Sequence, residues 1–408
     1  MTSEGLPPGI IHPFSPRGRV NPYPAYRWLQ EHAPLYLDQF SRLWLVTSYA
    51  GCSAVLRDQR FSAALAQRRR VRDEALPSSM LTTDPPEHAR LRGPGTLLLG
   101  PAALNSQTPL IEAEVEKVLT GLAVAEAADA PEVDAVRDIG EPLSVAVLAT
   151  LLRIDPASRT AFAGLARRAS VNLDPLAGPE AGAAGRRAVG ELTSWLDPHV
   201  REVSQAEPDS PLARLAADPR LTRQEMLGIL SLVVVGGYTP LAEFAGNALG
   251  RLLSRPGATD AGTVLAGPVL ADLGLTDPGR AESAVDELLR LDGPIPFIAR
   301  VATSEIELDG GRVPAGAQVL AVLAAANRDP SVFADPDRAD LSRAPNPHLA
   351  MGAGPHFCLA APLIRRAGAI ALRGLADRFP RARAVDPVQR WAPALLPRKL
   401  TAFGIRLT

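Results

Sequence analysis

Apolar side chains recur along most of this chain every three or four residues, the repeat of helices that bury one face. Residues 106–123 and 135–153 read as amphipathic or mostly buried helices, and Ala157–Asn172 as another. Asp174–Pro179 breaks the pattern, and helix resumes over Glu180–Glu202. Leu221–Leu253 is the longest helical stretch, with Thr222 placed as its N-cap and Glu225 three residues on as the capping-box partner. Shorter helices are expected at Ala25–His32, with Tyr26 and Leu29 on one face, and at Ala50–Leu56. Leu35–Leu37 and Leu43–Val46 read as paired strands, and so do Arg300–Ala302, Ile306–Leu308 and Gln318–Leu323, with a turn at Asp309–Gly311. Leu400–Leu407 looks like part of a strand hairpin. Residues 62–83 and Glu207–Ser210 read as irregular. The pattern predicts a mainly α chain with small β-sheets. Residues 21–408 are expected to form one domain behind an extended, proline- and glycine-rich segment, residues 1–20.

Composition narrows the class. With 46% hydrophobic and 21% charged residues among 408, the chain has the balance of a globular enzyme large enough to enclose a cofactor. A net charge of −1 argues against a global basic field for nucleic acid. Cys52 and Cys358 do not make a disulfide framework, and a reducing cytoplasm is the natural setting. The N-terminus lacks the apolar core of a signal peptide, and the most apolar internal run, Leu227–Val235, is far short of a membrane span. A soluble cytoplasmic monomer with neither a membrane nor a nucleic-acid partner is expected.

Chemistry concentrates in four places. The first is Met351-Gly352-Ala353-Gly354-Pro355-His356-Phe357-Cys358-Leu359-Ala360, a glycine-rich loop that delivers a cysteine to the start of an apolar helical run (Leu363, Ile364, Ala367, Ile370, Leu372). A cysteine there faces the positive end of a helix dipole, which favours the thiolate, a nucleophile or a soft metal ligand. The second is Thr83-Asp84-Pro85-Pro86-Glu87-His88-Ala89-Arg90-Leu91-Arg92, where Asp84 is placed to cap a helix. His88 and Arg92, four residues apart on one side of that helix, suit a carboxylate partner.

The third is Val235-Gly236-Gly237-Tyr238-Thr239-Pro240, in the middle of the longest helix. Pro240 removes the N–H that would bond to the Gly236 carbonyl, so a kink or opened turn is expected at 236–240. The fourth is Glu287 and Arg290, spaced to pair on one helix face. The run Gln67–Arg72 is locally basic and reads either as a solvated loop face or as a lid that meets an anionic substrate or a carrier protein.

These motifs, in this order, resemble those of the cytochrome P-450 superfamily, specifically its soluble bacterial kind. The family's cysteine loop reads Phe-Gly-x-Gly-x-His-x-Cys-x-Gly. Gly352, Gly354, His356 and Cys358 fit, while Met351 and Ala360 replace the phenylalanine and the last glycine. The resemblance spans roughly residues 20–408 and includes Ala324-Ala325-Ala326-Asn327-Arg328-Asp329-Pro330. It implies the cytochrome P-450 fold, with haem b (iron protoporphyrin IX) held between the long central helix and the helix after the cysteine loop. Cys358 would be the proximal ligand, and thiolate ligation favours O–O cleavage. His88, Arg92 and Arg300 would hold the haem propionates, with Met351, Gly352, His356 and Ala360 lining the haem loop. Glu287 and Arg290 would be a buried structural pair completed by Arg338. Leu81, Val233, Ile295, Phe297 and Leu400 are the candidate substrate-pocket residues.

The family's oxygen-activation motif usually reads Ala-Gly-x-acid-Thr, and here the chain departs from it. Counting without a gap from Gly246-Asn247-Ala248-Leu249 puts the glycine at Gly237, the acid at Thr239 and the threonine at Pro240. A one-residue shift would put Tyr238 and Thr239 at the acid and alcohol instead, and the gap-free register is preferred. In either register the carboxylate is missing. Three routes then stay open. A substrate hydroxyl or carboxylate supplies the proton, waters held by Thr239 and the Gly236 carbonyl supply it, or the chemistry is not hydroxylation.

The leading expectation is an oxidoreductase of secondary metabolism, of the antibiotic-biosynthesis type. It would oxidise a small molecule, free or tethered to a carrier protein, with dioxygen and electrons from a ferredoxin or similar donor. Arg365, Arg366 and Arg373 form either a docking face for that donor or ordinary solvated charges. A second expectation keeps the fold but gives coupling, rearrangement or peroxide-driven oxidation. A third is a haem-binding sensor or sequestering protein without turnover.

Overall fold

The computed structural model describes residues 6–65, 79–81, 83–127, 132–170, 179–254 and 269–407. Gln67–Arg72 and residues 174–178 of the expected break lie outside them. The central helix, Arg223–Leu253, runs 31 residues and is apolar nearly all round, as a helix at the middle of a core must be. Its start is fixed by a reciprocal capping box: Thr222 Oγ1 accepts from the Glu225 N–H, and the Glu225 carboxylate accepts from the Thr222 N–H. By length and composition it could cross a membrane, so the short apolar run seen in the sequence understates it. Most of its most apolar window is buried inside the protein.

Helices pack round most of that helix. It packs on Glu141–Leu152 and on the π-helical turn Ala135–Gly140 that leads into it. Above lie Arg159–Ser170 and Pro179–Ala206, which also pack on each other. Behind it runs Pro278–Asp292. The helix after the cysteine loop, Ala361–Arg378, packs against Pro278–Asp292 and Pro101–Ala127. Most of the buried apolar side chains of these helices form one continuous cluster.

A five-stranded sheet closes one end. Its order is Leu35–Leu37, Trp44–Val46, Gln318–Ala321, Ile298–Ala302, Phe61–Ser62. All neighbours are antiparallel except the pair that sets Leu45 beside Leu320. Arg300 sits opposite Val319 in this sheet, which fixes where its side chain starts. Cys52 is buried beneath the sheet, its thiol donating to the Val46 carbonyl at 3.0 Å. Burial pushes that thiol far above its ordinary pKa, so it is inert core.

Several expectations need correction. The 1–20 segment is not all extended, because Ser15 caps a helical turn over Pro16–Val20. The strand expected to end at Leu323 stops at Ala321, and Leu323–Ala326 is a helical turn. Gly311–Val313 pairs with Ile306–Leu308 across the predicted turn. Leu400–Leu407 is two strands in two sheets: Leu400–Ala402 pairs with Arg390–Trp391, and Gly404–Arg406 with Glu132–Asp134 and Arg383–Ala384. Asp84 does not cap the helix Glu87–Leu99; its carboxylate accepts instead from the N–H groups of Ala63 and Ala64 at 2.9 and 3.3 Å. No opened turn appears at 236–240, where the central helix continues unbroken through Pro240. Neighbouring helices brace it there: the Ser144 hydroxyl donates to the Tyr238 carbonyl at 2.8 Å, and Ser170 to that of Val235 at 3.5 Å.

Candidate active site

The cysteine loop is shaped by two left-handed glycines. Gly352 and Gly354 have φ of 72° and 68°. At Gly354 a side chain is excluded twice over, since a Cβ would also stand 2.5 Å from the Leu56 carbonyl oxygen. The Cys358 N–H donates to the Met351 carbonyl at 2.9 Å, which closes the loop. The next helix starts at Ala361, with Pro362 in its first turn and Ala360 at the N-cap. The N–H groups of Ala360 and Ala361 point at the Cys358 sulfur, and Arg92 and Arg365 add positive potential. Burial nevertheless outweighs them and raises the free thiol's pKa. The helix terminus alone therefore does not make the thiolate expected from the sequence. A bound metal ion would, because coordination deprotonates a thiol outright.

Beside the loop, four basic side chains converge. The His88 and His356 rings meet at 46° with centroids 4.0 Å apart, and the buried His88 Nε2 has no hydrogen-bond partner among the described residues. Burial, with Arg300 and His88 nearby, pushes the His356 pKa down to about 3. Burial likewise lowers Arg300 to about 10, and its guanidinium donates only to the Ala299 carbonyl at 2.8 Å among the described residues. Burial also lowers the pKa of His88 and of Arg92. Asp84, the carboxylate that acts against these shifts on His88, His356 and Arg300, is already held by the Ala63 and Ala64 N–H groups. A buried basic cluster short of counter-charge fits a group that brings its own carboxylates. The residues present therefore suit a haem, with its propionates here and its iron at Cys358.

The central helix presents one face to the same space. Val233, Gly236, Gly237, Pro240 and Leu241 line a chamber of about 210 Å³ with Leu81, His88, Arg92, His356, Cys358 and Ala360. A larger chamber of about 630 Å³ shares its walls at Leu81, Gly236, Pro240, Leu241, His356 and Cys358. That chamber reaches past Met351, Gly352, Arg300, Ile295 and Phe297 to Phe14, Phe40 and Leu395. Tyr238 and Thr239 line neither chamber. Tyr238 is buried on the opposite side, its hydroxyl 3.4 Å from Arg167 Nε. With Pro240 lacking an N–H, the Gly236 carbonyl has lost its helical donor, and Gly236 is exposed to the cavity.

Three sequence expectations are placed differently. Arg338 does not complete the Glu287–Arg290 pair: its side chain is 75% exposed, and only its backbone carbonyl accepts from Arg290, at 3.2 Å. The second arginine on Glu287 is Arg343, 11% exposed, with Nε 3.1 Å from the carboxylate. Arg290 adds bonds of 2.7 and 2.8 Å, and the Asp340 N–H one of 2.8 Å. Burial alone would raise the Glu287 pKa, but these partners hold it low. Leu400 does not reach the cavity, because it packs at Gly250, well down the central helix, and Leu395 and Leu396 line the wall instead. Arg365 is not free for docking, since its Nε bonds to Asp286 at 2.7 Å. Asn327 has a role that its motif did not disclose: its side chain accepts from the Leu349 N–H at 2.7 Å and so anchors the approach to the cysteine loop.

A thiol under the longest helix, in a cavity rimmed by basic groups that have no ion-pair partner among the described residues, suits a cysteine-ligated, acid-bearing cofactor. Comparison with known proteins agrees. Residues 281–364 match the family model Cytochrome P450. Cytochrome P450 monooxygenase PikC of Streptomyces venezuelae is 32% identical, over 95% of this chain and 91% of its own. Nocardicin C N-oxygenase of Nocardia uniformis subsp. tsuyamanensis is 34% identical over 93% of each. Among solved structures, P450BioI in complex with an acyl carrier protein ligated to hexadec-9Z-enoic acid superposes with a TM-score of 0.82. It is 26% identical, over 95% of this chain and 99% of that one. The chain belongs to the cytochrome P450 family and is a cytochrome P450 monooxygenase. The non-catalytic sensor is set aside by this finding.

Proposed function

We propose that the protein binds haem b through Cys358 and oxidises a largely apolar intermediate of secondary metabolism in the cytoplasm. Dioxygen and electrons from a ferredoxin-like donor would drive it. The observation that carries this reading is the continuous cavity from Cys358 to Gly236 and Pro240, rimmed by His88, Arg92, Arg300 and His356. Haem bound there supplies thiolate-ligated iron for dioxygen activation. His88, Arg92 and Arg300 bind the propionates. Leu81, Val233, Ile295 and Phe297 exclude water and orient the substrate. The freed Gly236 carbonyl holds a water at the cavity wall, the one proton-relay position that the central helix offers. A carrier-tethered substrate is supported by the carrier complex of P450BioI, and PikC and the N-oxygenase support secondary metabolism.

A second reading follows from Pro240. No hydroxyl or carboxylate of the central helix lines the cavity, so proton delivery rests on water or on the substrate itself. That favours oxidative coupling, rearrangement or peroxide-driven oxidation over simple hydroxylation. Turnover in isotopically labelled dioxygen, with a ferredoxin and its reductase, separates the two. Labelled oxygen in the product supports monooxygenation; an unlabelled product formed at full rate supports the second reading. No turnover with either dioxygen or peroxide across apolar and carrier-bound substrates overturns both.

A further inference from the structure

A smaller void lies beyond the Cys358 cavity, between the central helix and the helices Pro101–Ala127, Glu141–Leu152 and Ala361–Arg378. Its volume is about 40 Å³. Its lining is apolar except for Ser144, whose hydroxyl is already committed to the Tyr238 carbonyl at 2.8 Å. Leu241, Phe244 and Ile364 stand in both walls, so single side chains separate the void from the main cavity. Small residues leave the room: Ala245, Ala248, Ala367, Gly368 and Ala371 all line it, and Ala371 is only partly buried despite its place in the core.

We propose that this void is a docking site for one small apolar gas molecule, dioxygen in the working enzyme, beside the cofactor pocket. A water needs roughly 10–15 Å³ of such space, so size does not exclude it, but it also needs two to four polar partners. Ser144 alone is on offer. Apolar voids of this kind stay dry and take up apolar ligands such as xenon. Dioxygen is apolar and uncharged and gains by leaving water for such a site. Rotation of Leu241 or Phe244 would pass it to the space above Cys358. The inference rests on the haem reading for its purpose, though not for the binding itself.

The test uses the haem-loaded protein. Crystals under xenon pressure are expected to show one xenon atom bounded by Val147, Phe244 and Ala371. Ala371→Leu fills the void and abolishes that peak. In solution, carbon monoxide photolysed from the reduced protein is expected to return in a fast phase and a slower one, the slower from the docking site. The slower phase is lost in Ala371→Leu, and in the wild type when xenon occupies the void. The xenon arm on wild type stands even if the variant fails to fold. No xenon density in the void overturns the site. Xenon bound with both rebinding phases unchanged overturns its link to the cofactor. A carbon monoxide complex without a red-shifted Soret band would instead sink the haem reading and leave the xenon result standing.

Discussion

At the scale of single residues, stability hangs on which charges are buried with partners. Glu287 holds two arginines, and its pairing with Arg290 is closed to water on both sides. Glu287→Gln strands both guanidinium groups, and losing one partner of a buried pair costs about 3–5 kcal/mol. Arg343→Ala is expected to be clearly destabilising in denaturant unfolding, whereas Arg338→Ala should stay within about 0.5 kcal/mol of wild type, as exposed sites do. Equal effects of the two would contradict the assignment of Arg343. Glu243 is a different case. Burial pushes its pKa up from 4.5 to about 7, against the pull of Lys399 at 3.5 Å and with Glu141 and Asp134 adding to the rise. Between those two values the folded protein keeps a proton that the unfolded chain has released. Stability from this group is complete below 4.5 and is lost as pH rises through about 7. The stability difference between wild type and Glu243→Gln should drift by about 2–3 kcal/mol over that window, with wild type losing ground as pH rises. A flat difference would mean that Glu243 is ionised throughout.

At the scale of elements, the central helix shows how neighbours override a local signal. Pro240 and two glycines point to a kink or an opened turn when read alone. The helix runs on unbroken, with Gly237 packed against Leu148, where a Cβ would come within 3.0 Å, and with Ser144 and Ser170 bracing the adjacent carbonyls. What survives of the signal is chemical: Pro240 has no N–H to offer the Gly236 carbonyl, and both residues line the cavity. Pro240→Ala supplies that donor. It is expected to stabilise the helix by about 1–2 kcal/mol, seen as a higher Tm, and to lower the fraction of electrons that reach product by tying up the Gly236 carbonyl. A lower Tm would show that the proline ring itself packs the cavity wall.

At the scale of the whole molecule, legibility followed locality. Cys358, Gly352, His88 and Arg92 lie in short motifs whose spacing already sets their geometry, and all four line the chambers at the cysteine loop. Thr222 and Glu225 cap as read because a capping box is complete within four residues. The resemblance points to Arg338 where the fold places Arg343, because the partner of a buried carboxylate depends on how residues 335–346 fold back, which no spacing records. Leu400 was misplaced for the same reason, and Phe14, Phe40 and Leu395 carry no local mark of reaching the cavity. The sequence favours the gap-free register, with Thr239 at the acid's place and Pro240 at the alcohol's; in the fold Pro240 faces the cavity while Tyr238 and Thr239 do not.

The central claim is that Cys358 holds a haem iron, and the most direct measurement is the absorption spectrum of the reduced protein under carbon monoxide, beside that of Cys358→Ser. The expected result is a red-shifted Soret band in the wild type that is lost in the variant. Protein that retains no haem, or a band unchanged by the substitution, would contradict it.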